Sequence, residues 1–66
     1  MNIHPGKVKI FKIKNRKGYA ALCRDHLTEG RTSVQAYQRM IKALKRNGMI
    51  LTPLETHKIK KLVTEA

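Results

Sequence analysis

Acid is what this chain has least of. Its 66 residues hold four carboxylate side chains, Asp25, Glu29, Glu55 and Glu65, against fifteen Lys and Arg, for a formal net charge of +11. None of the four lies before Asp25, and none lies between Gly30 and Leu54. Solvated surfaces ordinarily interleave the two signs, because like charges repel, so this distribution excludes an ordinary mixed surface. Aromatics are also scarce. Trp is absent, and Phe11, Tyr19 and Tyr37 stand alone. A chain of this length buries only about 60% of the surface its unfolded form exposes, so the expected core is thin. Cys23 has no partner, which excludes an internal disulfide and fits a reducing compartment. No apolar run approaches the roughly 20 residues of a spanning helix. No apolar stretch follows the first basic residues as in a secretory signal. The expectation is a cytoplasmic protein without a membrane partner. A thin core combined with strong self-repulsion favours a homodimer.

What is present reads as a single small domain over residues 1–66, with residues 1–6 as a disordered lead-in. Lys7 to Lys14 is β-branched and roughly alternating, which predicts a strand. Val8 and Ile10 share one parity and Phe11 and Ile13 the other, so a bulge near Ile10-Phe11 is expected. Asn15 to Gly18 is a basic turn. Tyr19, Leu22, Cys23 and His26 have helical spacing, predicting a first helix over Gly18 to Thr28 that Gly30 stops. Thr32 and Gln35 form a capping box for a second helix running to about Asn47, with Val34, Tyr37, Ile41 and Leu44 inward, and Gly48 ends it. Met49 to Leu51 is either a short strand pairing with Lys7 to Lys14 or a tight connection. Thr52, Pro53 and Glu55 carry the start signals of a third helix, with Ile59, Leu62 and Val63 inward. The predicted fold is mainly α, a small α+β domain. It has an N-terminal strand followed by three helices, and a short second strand near residues 49–51.

Catalytic chemistry has little to stand on. The four acids are too scattered to form a dyad, and no serine motif or glycine-rich phosphate loop occurs. Cys23 and His26 lie three apart on the predicted first helix, but His4 and His57 supply no second metal half-site. A packed thiol and a partly buried imidazole explain the pair better. The expectation is a non-enzymatic protein with no cofactor and no metal.

The charge pattern points instead to a polyanion. Opposite the apolar stripe of the second helix stand Gln35, Gln38, Arg39, Lys42, Lys45 and Arg46. Gln and Arg at helical spacing suit base edges, and Lys suits phosphates. Lys7, Lys9, Lys12, Lys14, Arg16 and Lys17 make the N-terminal strand and turn equally basic. That strand reads as a groove-binding ribbon, as an edge strand whose lysines prevent aggregation, or as a flexible arm. The stretch Ala36-Tyr37-Gln38-Arg39-Met40-Ile41-Lys42-Ala43-Leu44-Lys45-Arg46-Asn47-Gly48-Met49-Ile50 resembles the recognition helix of winged helix-turn-helix regulators. That resemblance implies DNA binding, with Gln35, Gln38, Arg39 and Lys42 facing the groove. The order of basic strand, helix, Gly30-Arg31-Thr32-Ser33 turn and helix is similar to ribbon-helix-helix repressors, which implies an obligate dimer with paired strands in the major groove. The leading expectation is a small DNA-binding transcriptional regulator that contacts duplex DNA through the basic helix 33–47 and the Lys-rich strand. RNA or the ribosome is the second expected partner. An acidic protein surface, as for an inhibitor, is the third.

Overall fold

In the computed structural model, which describes residues 1–64, the first half of the chain follows a period of two rather than 3.6. Strands β2 (Lys9–Lys12), β3 (Tyr19–Cys23) and β4 (His26–Gly30) form an antiparallel meander, preceded by β1 (Asn2–Ile3) and a 3-10 turn over Pro5–Lys7. Ile10, Ala21 and Thr28 share one row of the ladder. Because successive side chains alternate between faces, Val8, Ile10, Ala21 and Cys23 point to one side, where all four are buried. That side is covered by α1 (Ser33–Lys45), which packs chiefly on β4 and β3. After α1 come β5 (Ile50–Leu51), α2 (Thr56–Lys61) and β6 (Val63–Thr64). β6 joins β2 in parallel, giving a sheet in the order β4-β3-β2-β6, while β1 and β5 pair in parallel as a separate two-stranded sheet. α2 lies against α1 and β6, and its Ile59 enters the same core as Tyr37, Met40, Leu44 and Leu51. The result is two layers, helices on one face of a sheet.

Local chemistry explains the ends of α1. Thr32 Oγ1 accepts from the main-chain N–H of Gln35 at 3.1 Å, as an N-cap should. The Gln35 side chain reaches back one residue further than the capping box requires, accepting from Arg31 N–H at 2.7 Å. At the other end Met49 N–H donates to Leu44 O (3.0 Å) and Gly48 N–H to Lys45 O (3.1 Å). These are the paired bonds of a Schellman ending, with Gly48 in the left-handed region at φ 76°.

The fold corrects the sequence-based expectation of a mainly α protein with three helices. The described residues form a small α+β domain with two helices and six strands in two sheets. The expected first helix is the β3–β4 hairpin. Tyr19, Ala21 and Cys23 satisfy a period of two as well as Tyr19, Leu22 and Cys23 satisfy a helical one, and pairing with β2 decides between them. Gly30 does not stop a helix. It ends β4 where α1 comes so close that an added Cβ would sit 2.6 Å from Ala36 N. The Lys-rich strand is neither an edge nor a free ribbon, since β2 is flanked by β3 and β6. Residues 49–51 do supply a strand, but its partner is β1, within the lead-in expected to be disordered. The third helix starts later than its signals suggest, with Glu55 as N-cap and no side-chain cap bond, and Val63 leaves it for β6. Neither arrangement implied by the two resemblances is formed.

Candidate nucleic-acid interface

Two glycines bring the basic residues together. Gly18, at φ 133°, closes the β2–β3 turn, with Ile13 N–H donating to Gly18 O at 3.1 Å. A Cβ on Gly18 would lie 2.9 Å from Gly30 O, and Gly30 in turn abuts the first turns of α1. The missing side chains let the turn, the end of β4 and the start of α1 stack closely. Arg16 and Lys17 from the turn, Arg31 from the β4–α1 connection and Arg39 from α1 therefore line one open cleft of about 240 Å³, with Gln35 and Glu29.

Four cations and one carboxylate leave this cleft at +3 (four minus one). Arg16 Nη2 pairs with Glu29 Oε1 at 2.6 Å, both side chains being largely exposed. Arg39 Nη1 donates to the main-chain carbonyl of Glu29 at 2.8 Å. Lys17 and Arg31 make no side-chain hydrogen bond or ion pair among the described residues. Like charges so placed repel unless an anion joins them.

The cleft runs on along the outer side of α1, where Gln35, Gln38, Arg39, Ile41 and Lys42 line a second groove. Six residues expected at the site, Arg16, Lys17, Gln35, Gln38, Arg39 and Lys42, thus form one band. The others do not join it. Lys45 borders an apolar groove with Ile41, Met49 and Pro53, and Arg46 caps the far end of α1. Lys7 lies beside Arg24 and His4 in a separate groove. Lys9 and Lys12 are exposed at opposite ends of β2, and Lys14 is exposed in the turn. Sequence reasoning missed Arg31, although it stands next to the Thr32 cap in an acid-free stretch.

α1 is held rigidly behind this band. Tyr37, fully buried, donates its hydroxyl to Thr52 O, and Thr28 Oγ1 donates to Ala36 O at 2.9 Å. Burial, and secondarily the neighbouring Cys23, push the Tyr37 phenol up to about 12. Asn47 Nδ2 lies 3.0 Å from His26 Nε2 and donates to Ala43 O, tying the end of α1 to β4. Cys23, buried, and His26 are cross-strand partners flanking the Arg24-Asp25 turn rather than neighbours on a helix. Among the described residues no three His, Cys, Asp or Glu side chains converge, and no helix is long and apolar enough to cross a membrane. No family model, curated protein or solved structure matches the chain.

Proposed function

We propose that this chain binds nucleic acid, duplex DNA foremost, through the cationic cleft and the outer side of α1. The observation that supports this reading is the convergence of Arg16, Lys17, Arg31 and Arg39, from three separate segments, into one cleft whose lining holds a single carboxylate. Such a cluster costs stability by self-repulsion and gains it back when phosphates arrive and release counterions. The 13 residues of α1 give a rod of about 20 Å, a length suited to the major groove. Within it the roles divide by what each side chain already holds. Gln35 Oε1 is engaged by Arg31 N–H and one arm of Arg39 by Glu29 O. Gln38 is exposed and uncommitted, so it is the residue best placed to read a base edge, with the remaining donors of Arg39 beside it. Lys17, Arg31 and Lys42 contact phosphates. A regulator of transcription is the role such a module would serve.

Titration of labelled duplex DNA with the wild-type protein and with a Lys17→Ala/Arg31→Ala variant tests the cleft directly. The variant should bind every duplex more weakly, with its log–log salt slope lowered by about 2. Equal binding by both proteins would remove the cleft from the interface. Tighter binding of hairpin RNA than of duplex DNA would move the reading to RNA.

A further inference from the structure

At the far end of the strands from the cleft, His4, Lys7 and Arg24 line a separate groove of about 450 Å³ with Asn2 and Ile3. No carboxylate lines it. Asp25 follows Arg24 in the β3–β4 turn, but it is exposed and among the described residues pairs with neither cation. The donors are held from behind. Lys7 N–H donates to His4 O at 2.9 Å, which sets the two residues side by side, and Lys7 precedes the buried Val8. Arg24 follows the buried Cys23. Its backbone lies in the left-handed region at φ 54°, which a residue with a β-carbon occupies at a cost and which Gly or Asn usually fills in such a turn. The turn is less stable for carrying an arginine, and what the arginine adds is a guanidinium at the groove. We infer that His4, Lys7 and Arg24 form a second anion site, which takes a phosphate group independently of the cleft.

The three donors are uncommitted. Lys7 makes no side-chain hydrogen bond or ion pair among the described residues, and the one polar contact of the Arg24 guanidinium is Met1 Sδ at 4.0 Å. His4 Nδ1 accepts from Gly6 N–H at 2.9 Å, so the neutral ring carries its proton on Nε2 and keeps it for a ligand. Arg24 offers a planar fork, Lys7 a point charge and His4 a neutral donor. The fork alone would fill the two oxygens of a carboxylate. A phosphate group has oxygens left for the lysine and the imidazole. Two cations held together without an acid repel each other until such an anion joins them. The five-residue strand β3 separates Lys17 from Arg24, which sets the two sites roughly 20 Å apart. No single phosphate group reaches both.

The site does not depend on the cleft, and its first test uses no nucleic acid. Inorganic phosphate is titrated into the full chain at constant ionic strength, and the backbone amides are followed by NMR. The amides of Lys7 and Arg24 should shift along a saturating curve, and should do so equally in the Lys17→Ala/Arg31→Ala variant. Lys7→Ala/Arg24→Gly should weaken this binding at least about tenfold, since it removes both charges. Arg24→Gly alone should unfold in urea at the same midpoint or a higher one, because Gly takes the left-handed turn freely. The loss of binding is then not a loss of fold. Shifts that never saturate, or that persist unchanged in Lys7→Ala/Arg24→Gly, would overturn the proposal. A second arm separates the sources of the phosphate. Immobilised duplex DNA carrying the protein is offered a second, labelled duplex. Capture by the wild type that Lys7→Ala/Arg24→Gly loses assigns the phosphate to a nucleic-acid backbone. Saturable phosphate binding without such a loss assigns it to a free phosphate ester.

Discussion

Glu29 holds two arginines at once: its carboxylate binds Arg16 at 2.6 Å and its main-chain carbonyl binds Arg39 at 2.8 Å. One acidic residue therefore fixes the spacing of a turn cation and a helix cation across the cleft. It also partly neutralises the site that the cations form.

The two effects of Glu29 oppose each other in binding. Glu29→Gln keeps the carbonyl bond to Arg39 but removes the charge, raising the cleft from +3 to +4. Affinity for duplex DNA should rise severalfold in a titration of labelled duplex. Stability should fall by no more than about 1 kcal/mol, because exposed ion pairs contribute little. A marked loss of affinity would mean that Arg16 needs its partner more than phosphate needs the charge.

Arg39 and Lys45 separate positioning from reading. Arg39→Ala should cost about 1–3 kcal/mol of DNA affinity and relax sequence preference. Lys45→Ala lies outside the band and should weaken all sequences slightly and alike. Sequence preference unchanged by Arg39→Ala, in a competition among duplexes, would remove α1 as the reader.

Two glycines should respond differently to the same substitution. At Gly30 a Cβ meets Ala36 N at 2.6 Å, a backbone atom that cannot yield, so Gly30→Ala should cost about 3 kcal/mol. At Gly48 nothing lies within 4 Å and only the φ of 76° is strained. Gly48→Ala should therefore cost about 1 kcal/mol. Urea unfolding midpoints of the two variants would order them, and equal costs would contradict the close approach of β4 to α1.

Tyr37 supplies an alkaline limit. Its phenol is pushed from 10.0 up to about 12, by burial first and by Cys23 second. The unfolded chain gives up this proton at the ordinary pH, so the contribution is complete below pH 10 and is lost as pH climbs toward 12. Tyr37→Phe should cost about 1 kcal/mol at neutral pH through the lost bond to Thr52 O. Between pH 10 and 12 that difference should shrink and then reverse. A gap between the two proteins that stays constant with pH would contradict it.

How much of this was legible in the sequence depended on how local the signals are. α1 was readable because Thr32 caps it and Gly48 ends it within a few residues. Its buried stripe is rotated slightly from the expected Val34, Tyr37, Ile41 and Leu44. Ala36, Tyr37, Met40 and Leu44 are buried whereas Val34 and Ile41 are only half-buried, because β5 and α2 also press on the helix. The β3–β4 hairpin was hidden by its turn. Arg24-Asp25 lacks the Gly or Asn that usually marks two-residue turns, and Arg24 takes the left-handed conformation itself at φ 54°. β1, β5 and β6 are two residues each and exist only through partners far along the chain, Asn2 with Ile50 and Ile10 with Val63. Gln35, Gln38, Arg39 and Lys42 were foreseeable together because one helix carries them. That Arg16 and Lys17 join them follows from the Gly18–Gly30 contact, which no local pattern announces.

The central claim is that the cationic band meets a phosphate chain, and the salt dependence of duplex DNA binding tests it most directly. Contact with on the order of six phosphates predicts a log–log slope near −5 between about 50 and 200 mM salt. Lys17→Ala and Lys42→Ala should each reduce that slope by about 1. A flat dependence, or the full slope retained after both substitutions, would contradict the account.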